Sequence, residues 1–504
     1  MIRLDDLESS TLVLVGFGTE GQGSYLFLRS RFPGKRIGIA DRRHLSQIAM
    51  PAEIAAAVAQ DHDLEMHCGD DYLSCLPRYR AALKSPGIPP SLPELVAYRA
   101  AGGSVTSHLE LFFSIAGPQP ILGVTGTKGK STTASLLHHL LQDAGIEAVL
   151  AANIGAPPLQ SLPADGTDRR QWVVECSSYQ LAELHSSPRI AVLLGVVPEH
   201  LGVHDPSLAY AHHPDFASYV AAKETITRYQ GPDDILVFNA DNEVAAQIAA
   251  RSRARRFPVS QRDKTDCGAY MDNGHLLYAN QGVVEEIADV ASIPLLGAFN
   301  QINVLAAVTA ARLAGASGAV MRRSIASFRG LPHRLEFAGE VAGVSFYDDS
   351  ISTVPDATIR ALEALGERVS TVILGGHDRG ADFSALARTL MQRHLRHLLL
   401  FSPSGPRLWR AVEQQCGAAE ACPEPHFVAD MQTAVDLAMR HARPGEICLL
   451  SPASASYGTF KNFEQRGRAF REAIARAAAS AQMAPASQPQ TPREENASTR
   501  LPGR

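Results

Sequence analysis

Short runs of apolar residues recur along the chain, and each run ends in a glycine or a polar residue before a stretch with helical character. This alternation predicts parallel β-strands connected by helices, which defines an α/β fold class. The runs fall into three groups, separated by a proline-flanked segment at residues 118–120 and by a break after Phe328. The predicted strands are residues 12–15 and 37–40, then 121–125, 172–175, 191–197 and 235–239, and finally 344–347, 372–374, 398–401 and 447–450.

The grouping predicts three α/β domains in series, at residues 1–118, 119–328 and 329–475. A chain of 504 residues is long enough for about three domains of ordinary size. After about Ala475 the composition shifts to Ala, Pro, Ser, Gln and Thr, which cannot bury a core. We therefore expect residues 476–504 to form a disordered tail.

Composition narrows the class of protein further. The formal net charge is −5, so the chain lacks the basic excess typical of nucleic-acid binding, and no apolar run is long enough to span a membrane. Residues 1–6 carry acids where a signal peptide needs bases, so we expect no signal peptide. The seven cysteines are scattered and form no CxxC pair, which argues against a disulfide framework and a zinc site and favours a reduced cytoplasm.

A glycine-rich loop at residues 125–132 reads Thr-Gly-Thr-Lys-Gly-Lys-Ser-Thr and lies between a predicted strand and a helical run at residues 134–141. This is the context of a P-loop, in which backbone amides and a helix N-terminus bind phosphates. Lys130 would reach the terminal phosphates and Ser131 would ligate Mg²⁺. The strict spacing requires glycine where this chain has Val124, so the loop is a variant, and the alternative is a glycine-rich turn with an unrelated lysine.

Two further residues of the central group follow predicted strands and could ligate a metal. Glu175 ends the strand at residues 172–175, and His200 follows the strand at residues 191–197. Ligands of open α/β sheets bind at this carboxyl edge, and Mg²⁺ requires oxygen ligands. A single glutamate at such a position is more often a helix cap or a surface acid, and a single histidine is more often structural. Because both residues follow strands of the same predicted domain, as the glycine-rich loop does, a metal site is favoured.

A second nucleotide-type motif opens the chain. Gly16, Gly18 and Gly21 form a GxGxxG sequence between a predicted strand and a helix, and Asp41 ends the next strand. This matches the dinucleotide fingerprint, in which the acid contacts a ribose or base, although a purely structural glycine turn is the alternative. The first and third domains are therefore predicted to be Rossmann-like, around a central P-loop ATPase domain. A ligase that uses ATP on a nucleotide-linked substrate would explain both motifs.

Four strings carry a resemblance to a known family. They are Ser-Pro-Gly-Ile at residues 85–88, the loop at residues 125–132, Leu-Pro-His-Arg at residues 331–334, and Leu-Ser-Pro-Ala-Ser-Ala-Ser at residues 450–456 with Phe-Lys-Asn-Phe-Glu-Gln-Arg-Gly at residues 460–467. Together they resemble the Mur ligases, most closely the glutamate-adding branch, over nearly the whole chain. The resemblance implies ATP and Mg²⁺ as cofactors, and UDP-N-acetylmuramoyl-L-alanine and glutamate as substrates, in a cytoplasmic enzyme with no nucleic-acid or membrane partner.

The resemblance also implies roles for individual positions. The nucleotide site would contain Gly126, Thr127, Lys128, Gly129, Lys130, Ser131, Thr132, Asn153, Asn300, Asn303, Arg334 and Asp349. The metal ligands would be Ser131, Glu175, His200 and a carbamylated Lys223. The substrates would meet Gly16, Gly18, Gly21, Asp41 and Ser85 in the first domain and Arg379, Ser456 and Phe463 in the third. The catalytic residues would be Lys130, His200, Lys223 and Arg334.

The implied mechanism activates a substrate carboxylate with ATP as an acyl phosphate, which the glutamate amine then attacks. Two departures from the family pattern bear on which glutamate is used. Glu199 and Gly202 replace aspartates, and Ile351 occupies a position where the pattern has lysine, shortly before Pro355. We expect a divergent branch that adds L-glutamate, with a separate epimerase that inverts the residue in the product; the alternative is the same ligase using D-glutamate.

Other activities remain as alternatives. A folylpolyglutamate synthetase, or a Mur ligase for another amino acid, would not need both the string at residues 460–467 and the amino-terminal motif. A Rossmann oxidoreductase fused to a regulatory NTPase belongs to another class, and NAD binding would identify it. A noncatalytic binding protein of the same fold would release no phosphate.

Overall fold

The computed structural model describes residues 4–116, 121–152, 156–163, 170–198, 212–393, 395–416 and 422–483. The contacts divide the chain into two compact units, Met1–Leu331 and Pro332–Arg504. The first unit contains two parallel sheets and a small antiparallel sheet, and the second contains one mixed sheet.

The first sheet is parallel and has the order β3-β2-β1-β4-β5. Strand β1 is fully buried at the centre of the sheet, and the chain adds strands first on one side of it and then on the other. The change of side creates a crevice at the carboxyl ends of β1 and β4. The elements are α1 Leu4–Ser9, β1 Leu12–Val15, α2 Thr19–Arg31, β2 Ile37–Asp41, α3 Ala52–Gln60, β3 Leu64–Cys68, β4 Ala81–Lys84, α4 Pro93–Ala100, β5 Ser104–Ser107 and α5 His108–Ala116.

The central sheet is also parallel, with the order β11-β10-β9-β6-β8-β7. Its change of side falls at β6, and α6, which follows β6, packs against α10. The elements are β6 Ile121–Thr125, α6 Lys130–Asp143, β7 Ala148–Ala152, β8 Gln171–Glu175, α7 Ser178–Leu181, β9 Ile190–Leu193, α8 Phe216–Arg228, β10 Ile235–Asn239, α9 Glu243–Arg251 and β11 Arg255–Val259.

A three-stranded antiparallel sheet follows, and the hydrophobic pattern did not predict it. Its strands mix apolar and polar residues without a long apolar run, and α11 packs against β14. The elements are β12 Gly268–Asp272, β13 His275–Asn280, β14 Val283–Asp289, α10 Ala298–Leu313 and α11 Gly318–Ser327.

The second unit is built on a six-stranded sheet with the order β15-β16-β20-β17-β18-β19. Strand β15 is antiparallel to β16, and the other pairs are parallel. The elements are β15 Glu336–Val341, β16 Val344–Asp348, α12 Pro355–Leu365, β17 Val369–Gly375, α13 Ser384–Gln392, β18 His397–Phe401, α14 Gly405–Glu413, β19 Glu424–Val428, α15 Met431–His441, β20 Ile447–Leu450 and α16 Phe463–Met483.

The structure confirms the α/β fold class with parallel amino-terminal and central sheets and corrects three expectations. The strand predicted at residues 191–197 ends at Leu193, because Val196 N donates to Asn242 Oδ1 (3.0 Å) and leaves the sheet. The expected tail begins too early: α16 continues to Met483 through alanine-rich residues that favour helix. Cys416 and Cys422 form a disulfide, a local pair that the scatter of all seven cysteines concealed. Among the described residues, no helix is long and apolar enough to cross a membrane.

Candidate active site

A cavity of about 420 Å³ lies at the carboxyl ends of β1 and β4, in the crevice of the first sheet. Gly16, which follows β1, has a φ of +90°, and a Cβ there would lie 2.9 Å from the Cβ of Ser85. Glycine is therefore required for this close approach of two loops. Ser85 Oγ donates to the Gly16 carbonyl (3.0 Å), which fixes the loops on either side of the cavity.

Gly18 and Gly21 meet different constraints. A Cβ on Gly21 would lie 2.2 Å from the Gly16 carbonyl oxygen, so the protein itself requires glycine there. A Cβ on Gly18, at the N-terminus of α2, would meet nothing within 4 Å. Gly18 lines the cavity. The absence of a side chain at this position would allow a ligand to approach the N-terminus of α2 closely, which explains a glycine here.

Asp41 lines the same cavity and is held in place from two sides. Its Oδ2 accepts from the Phe17 amide (2.8 Å), and its Oδ1 accepts from the Arg43 amide (2.9 Å) and from Arg43 Nε (3.1 Å). Burial acts to raise the pKa of Asp41, but the hydrogen bonds from Arg43 and Phe17 outweigh it, so the pKa is lowered. The predicted ligand residue is thus a fixed anion with an arginine beside it, at the edge of the cavity.

The glycine loop of the central domain ends in Gly129, the N-cap of α6, with a φ of +87°. Lys130 is the first residue of that helix, and its ammonium group donates to the carbonyl oxygens of Gly126 (3.2 Å) and Thr127 (3.1 Å). The lysine therefore lies over the loop, at the helix N-terminus, where phosphates bind. Lys128 is exposed at the tip of the loop.

Two asparagines of α10 support the loop from behind. A Cβ on Gly129 would lie 2.1 Å from Asn303 Oδ1, so the loop and α10 are in direct contact. Asn303 is buried and donates to Asn300 Oδ1 (2.9 Å), and Asn300 donates to the Leu296 carbonyl (2.7 Å). Both asparagines predicted for the nucleotide site thus lie beside the loop.

Glu175 and Lys223 are buried at the same edge of the central sheet. Glu175 is paired in register with Val124, immediately before the loop, and its Oε2 has no hydrogen-bond partner among the described residues. Lys223 Nζ donates to the Gly126 carbonyl (2.7 Å) and lies 4.7 Å from the ring centroid of Tyr219. A buried carboxylate oxygen without a donor is costly unless a cation is added, so Glu175 fits a Mg²⁺ ligand, whereas an unmodified amine at Lys223 does not.

In the second unit, Asp349 is buried directly after β16. Its oxygens accept from Ser451 Oγ (2.7 Å) and from the Leu335 amide (3.2 Å), which ties it to the loop that carries Arg334. Burial raises the pKa of Asp349 to about 6, against the hydrogen bonds from Ser352, Ser451 and Leu335 and the charge of Arg334.

The residues expected to bind glutamate lie on loops at the carboxyl edge of the same sheet. The loops after β17 and β20, which carry Arg379 and Ser456, are joined by a hydrogen bond from the His377 amide to the Ala455 carbonyl (2.8 Å). The Phe463 carbonyl accepts from Ser350 Oγ (2.8 Å), beside the departure at Ile351. Arg379 is exposed and lies 5.4 Å from the ring centroid of Tyr457, while Ser456 is buried.

Sequence reasoning missed two residues of these sites. Arg466 is buried and donates to Ser350 Oγ (3.0 Å), to the Ser350 carbonyl (2.8 Å) and to the Ser454 carbonyl (3.0 Å), and burial lowers its pKa to about 10. Arg466 belongs to the family-like sequence at residues 460–467, and this membership could have identified it as a candidate site residue. Glu20 lines the first cavity, and burial raises its pKa to about 7 against a hydrogen bond from Gln180.

Two predicted ligands, His200 and Asn153, lie outside the described residues.

The chain is similar to known proteins along most of its length. The Mur ligase middle domain matches residues 124–311, and the Mur ligase glutamate ligase domain matches residues 333–454. The UDP-N-acetylmuramoylalanine–D-glutamate ligase of Acidobacterium capsulatum is 35% identical over 472 residues, covering 93% of this chain and 97% of that protein. The protein of the same name from Symbiobacterium thermophilum is 34% identical over 465 residues, covering 92% of this chain and 97% of that protein.

Solved structures show the same fold at low identity. The UDP-N-acetylmuramate–alanine ligase MurC of Thermotoga maritima has a TM-score of 0.56 at 16% identity, covering 93% of this chain and 100% of that chain. The MurF ligase of the same organism, solved in complex with ADP, has a TM-score of 0.53 at 15% identity, covering 88% of this chain and 89% of that chain. Family domains and full-length relatives lead to one conclusion: this chain belongs to the Mur ligase family.

Proposed function

We propose that this protein is an ATP-dependent amide ligase that adds glutamate to UDP-N-acetylmuramoyl-L-alanine, in the cytoplasmic synthesis of peptidoglycan precursors. The names of the relatives that match along nearly their whole length support this reaction. The observation that carries the proposal is the juxtaposition of a glycine loop, Lys130 at a helix N-terminus and the buried, unpartnered oxygen of Glu175. A nucleotide triphosphate with its metal ion needs these groups together.

The division of labour that we propose follows the three predicted domains. Residues 1–118 bind the UDP-sugar in the cavity lined by Gly18 and Asp41. Residues 119–328 bind ATP, and residues 329–475 bind glutamate. We propose no nucleic acid and no membrane as a partner of the protein.

The chemistry begins with the terminal carboxylate of the UDP-sugar substrate, which is a poor electrophile. A carboxylate oxygen attacks the γ-phosphorus of ATP, the bond to the β,γ-bridging oxygen breaks, and an acyl phosphate and ADP form. Lys130, the amides at the start of α6 and Arg334 neutralise the charge on the phosphoryl oxygens. Ser131, Glu175, His200 and the carbamate proposed at Lys223 would hold Mg²⁺, which would supply further charge neutralisation.

The second step forms the amide bond. The glutamate amine attacks the acyl carbon, phosphate leaves with the bonding electron pair, and the amine loses a proton to a base or to water. The same cations stabilise the tetrahedral oxyanion. Arg379, Ser456 and the Phe463 backbone hold the carboxylates of glutamate in this proposal.

Lys223 is proposed to act as a carbamate. Its terminal nitrogen lies in a buried position, 2.7 Å from the Gly126 carbonyl. Addition of CO₂ to the amine would replace a cation by an anionic oxygen ligand, which a magnesium site prefers. His200, which lies outside the described residues, is proposed as a further metal ligand.

The relatives are named for D-glutamate, and this supports the D-enantiomer better than the L-glutamate that we expected from the departures. The Ile351 amide donates to the carbonyl of His333, the residue before Arg334 (3.2 Å). The L-specific alternative, with its separate epimerase, rests on this residue and on residues 199–202, which lie outside the described part of the chain.

One experiment tests both the activity and the enantiomer. The protein is incubated with UDP-N-acetylmuramoyl-L-alanine, Mg²⁺ and ATP, and with each amino acid in turn, and phosphate and the product mass are measured. We expect phosphate release with glutamate and a heavier nucleotide sugar. D- and L-glutamate are then compared at equal concentration: faster turnover with L-glutamate would reverse the assignment of the enantiomer, and phosphate release with neither would remove the proposed activity.

A further inference from the structure

A cluster of histidines lies in the second unit, on the two strands at one edge of its sheet. Strand β18 begins with His397, and β19 contains Glu424 and His426. His397 is paired in register with Glu424, and Leu399 is paired with His426. Because side chains alternate along a strand, residues two apart share a face, and all three side chains project from one face of the sheet. His441, the last residue of α15, packs against both imidazole rings, with centroid distances of 4.4 and 5.2 Å.

The three ligand atoms form a small triangle. His397 Nδ1 lies 3.1 Å from His426 Nε2 and 3.5 Å from Glu424 Oε2, and His426 Nε2 lies 3.7 Å from the same oxygen. A tetrahedral zinc ion with ligands at about 2.0–2.1 Å has ligand atoms about 3.3–3.4 Å apart. The triangle therefore has nearly the dimensions of one face of a zinc coordination tetrahedron before any side chain moves.

The surroundings favour neutral imidazoles that can donate lone pairs. Burial lowers the pKa of His397, and the neighbouring charges of His441 and His426 lower it further, against Glu424. The side chains of His397 and His426 are only 11% and 15% exposed, while that of Glu424 is 62% exposed. An ion would thus be shielded on the imidazole side and reachable from solvent past the carboxylate.

A second group of possible ligands in this unit differs in one respect. His333, Glu336 and Asp348 also lie close together, but Arg471 pairs with Glu336 and lies 3.5 Å from Asp348. A guanidinium already supplies positive charge there. In the histidine cluster, the contacts to Glu424 come from the two imidazoles, so a metal ion can take the place of their proton.

We propose that His397, Glu424 and His426 bind a zinc-class dication, with water as the fourth ligand. Imidazole and carboxylate select Zn²⁺, Ni²⁺ or Cu²⁺ over Mg²⁺, so this site and the site at Glu175 take different metals. The ion would connect β18 to the edge strand β19, and we assign it a structural rather than a catalytic role. The scattered cysteines had argued against zinc, but this site uses none of them.

The test measures zinc binding by the full-length protein without a histidine tag, by equilibrium dialysis in excess Mg²⁺. We expect one tightly bound Zn²⁺ per chain, and Co²⁺ in its place should give the intense visible absorption of a tetrahedral site. His426→Ala and Glu424→Gln should each weaken zinc binding more than about tenfold. Glu424→Gln is the conservative variant, since this exposed side chain is not needed for the core. His275→Ala, which removes a half-exposed histidine on β13, is the matched control.

Zinc should also raise the melting temperature of the wild-type protein and of His275→Ala, and leave that of His426→Ala unchanged. Two results would overturn the proposal. One is the absence of a bound Zn²⁺ in excess Mg²⁺. The other is zinc binding that survives both His426→Ala and Glu424→Gln while circular dichroism shows each variant folded. The ligase reaction is not part of either readout, so failure here is distinguishable from failure of the proposed activity.

Discussion

The ammonium group of Lys130 donates to two backbone carbonyls of its own loop, those of Thr127 and Gly126, at 3.1 and 3.2 Å. These contacts hold the lysine over the helix N-terminus. A bound phosphate would add charge-assisted hydrogen bonds at a lysine that is already in position, with little cost in reorganisation. At the scale of single residues, the candidate site is therefore already arranged for phosphate before any ligand arrives.

Lys130→Ala should reduce turnover at least about 10²-fold, because the transferring phosphoryl group loses a cation worth several kcal/mol of barrier. The rate of phosphate release in the ligase assay measures this. Lys264→Ala, which removes an exposed lysine far along the chain, is the control and should retain the wild-type rate. A rate for Lys130→Ala above about a tenth of wild type would exclude the lysine from the phosphates.

Lys223→Ala should also abolish most activity, but with a different dependence on added acids. Short carboxylic acids should restore part of the rate, because a free carboxylate can occupy the position of the lost carbamate. The same acids should not restore Lys130→Ala, in which a cation is missing. An unimpaired Lys223→Ala variant, or equal rescue of both variants, would contradict the carbamate.

Glu20 should make binding of the UDP-sugar sensitive to pH. Burial raises the pKa of Glu20 to about 7, so the carboxyl group is neutral below that pH and becomes an anion in the cavity above it. An anionic diphosphate prefers the neutral form, so the dissociation constant should rise as pH increases from about 6 to about 8. Calorimetric titration with UDP-N-acetylmuramoyl-L-alanine measures it.

Glu20→Gln should remove that part of the pH dependence, since the amide stays neutral throughout. Glu53→Gln, a substitution at an exposed position on α3, should keep the wild-type slope. If Glu20→Gln and the wild-type protein show the same slope, another group is responsible.

At the scale of elements, α6 has a glycine of positive φ at each end, and the two glycines differ in their surroundings. Gly129, at the N-terminus, would place a Cβ 2.1 Å from Asn303 Oδ1, whereas Gly145, just beyond the C-terminus, would meet nothing within 4 Å. Gly129 is thus packed against α10, whereas the space beside Gly145 is open, although the last turn of α6 contacts α11 through Asp143 and Ser324. A side chain can therefore be added at Gly145 without a clash, and at Gly129 it cannot.

Gly129→Ala should weaken ATP binding more than about tenfold, because the loop must move away from Asn303 in addition to the strain of a positive φ. Gly145→Ala carries only the strain, about 1 kcal/mol, and should lower the melting temperature slightly without changing ATP affinity. Titration with a nonhydrolysable ATP analogue separates the two. Equal affinities for the two variants would mean that the contact with Asn303 does not position the loop.

Elements with continuous apolar runs were predictable, and those without them were not. The strands before the loops of both nucleotide motifs were located from sequence, and with them Gly16 and Lys130. The antiparallel sheet β12–β14 was missed because its strands mix apolar and charged residues, as in the Val-Val-Glu-Glu start of β14. The histidine cluster was missed because its members are up to 44 residues apart in sequence, from His397 to His441, and only strand register and helix packing bring them together.

At the scale of the whole molecule, the second unit has a buried core of its own. Phe346 of β16 packs edge-to-face with Phe470 of α16, at a centroid distance of 6.0 Å, and both are fully buried. The sheet is complete within the unit, from β15 to β20. A unit with its own core and a closed set of strand pairs is expected to fold independently.

A fragment of residues 332–483 should therefore unfold cooperatively by itself, with the sheet and helix content of the intact unit. Thermal unfolding followed by circular dichroism measures this. A fragment of residues 332–446 lacks β20 and should remain unfolded, because β20 lies between β16 and β17. Cooperative unfolding of the shorter fragment would show that β20 is not needed for folding, and none in the longer fragment would show that the second unit does not fold independently.

The place of β20 has a consequence for synthesis. A nascent polypeptide emerges amino end first, so strands β15 to β19 leave the ribosome before the strand that belongs in the middle of their sheet. Until residues 447–450 emerge, β16 and β17 have no partner between them and present open backbone edges. Any product of premature termination upstream of β20 therefore exposes those edges, and the cell's proteases can distinguish it from a finished chain.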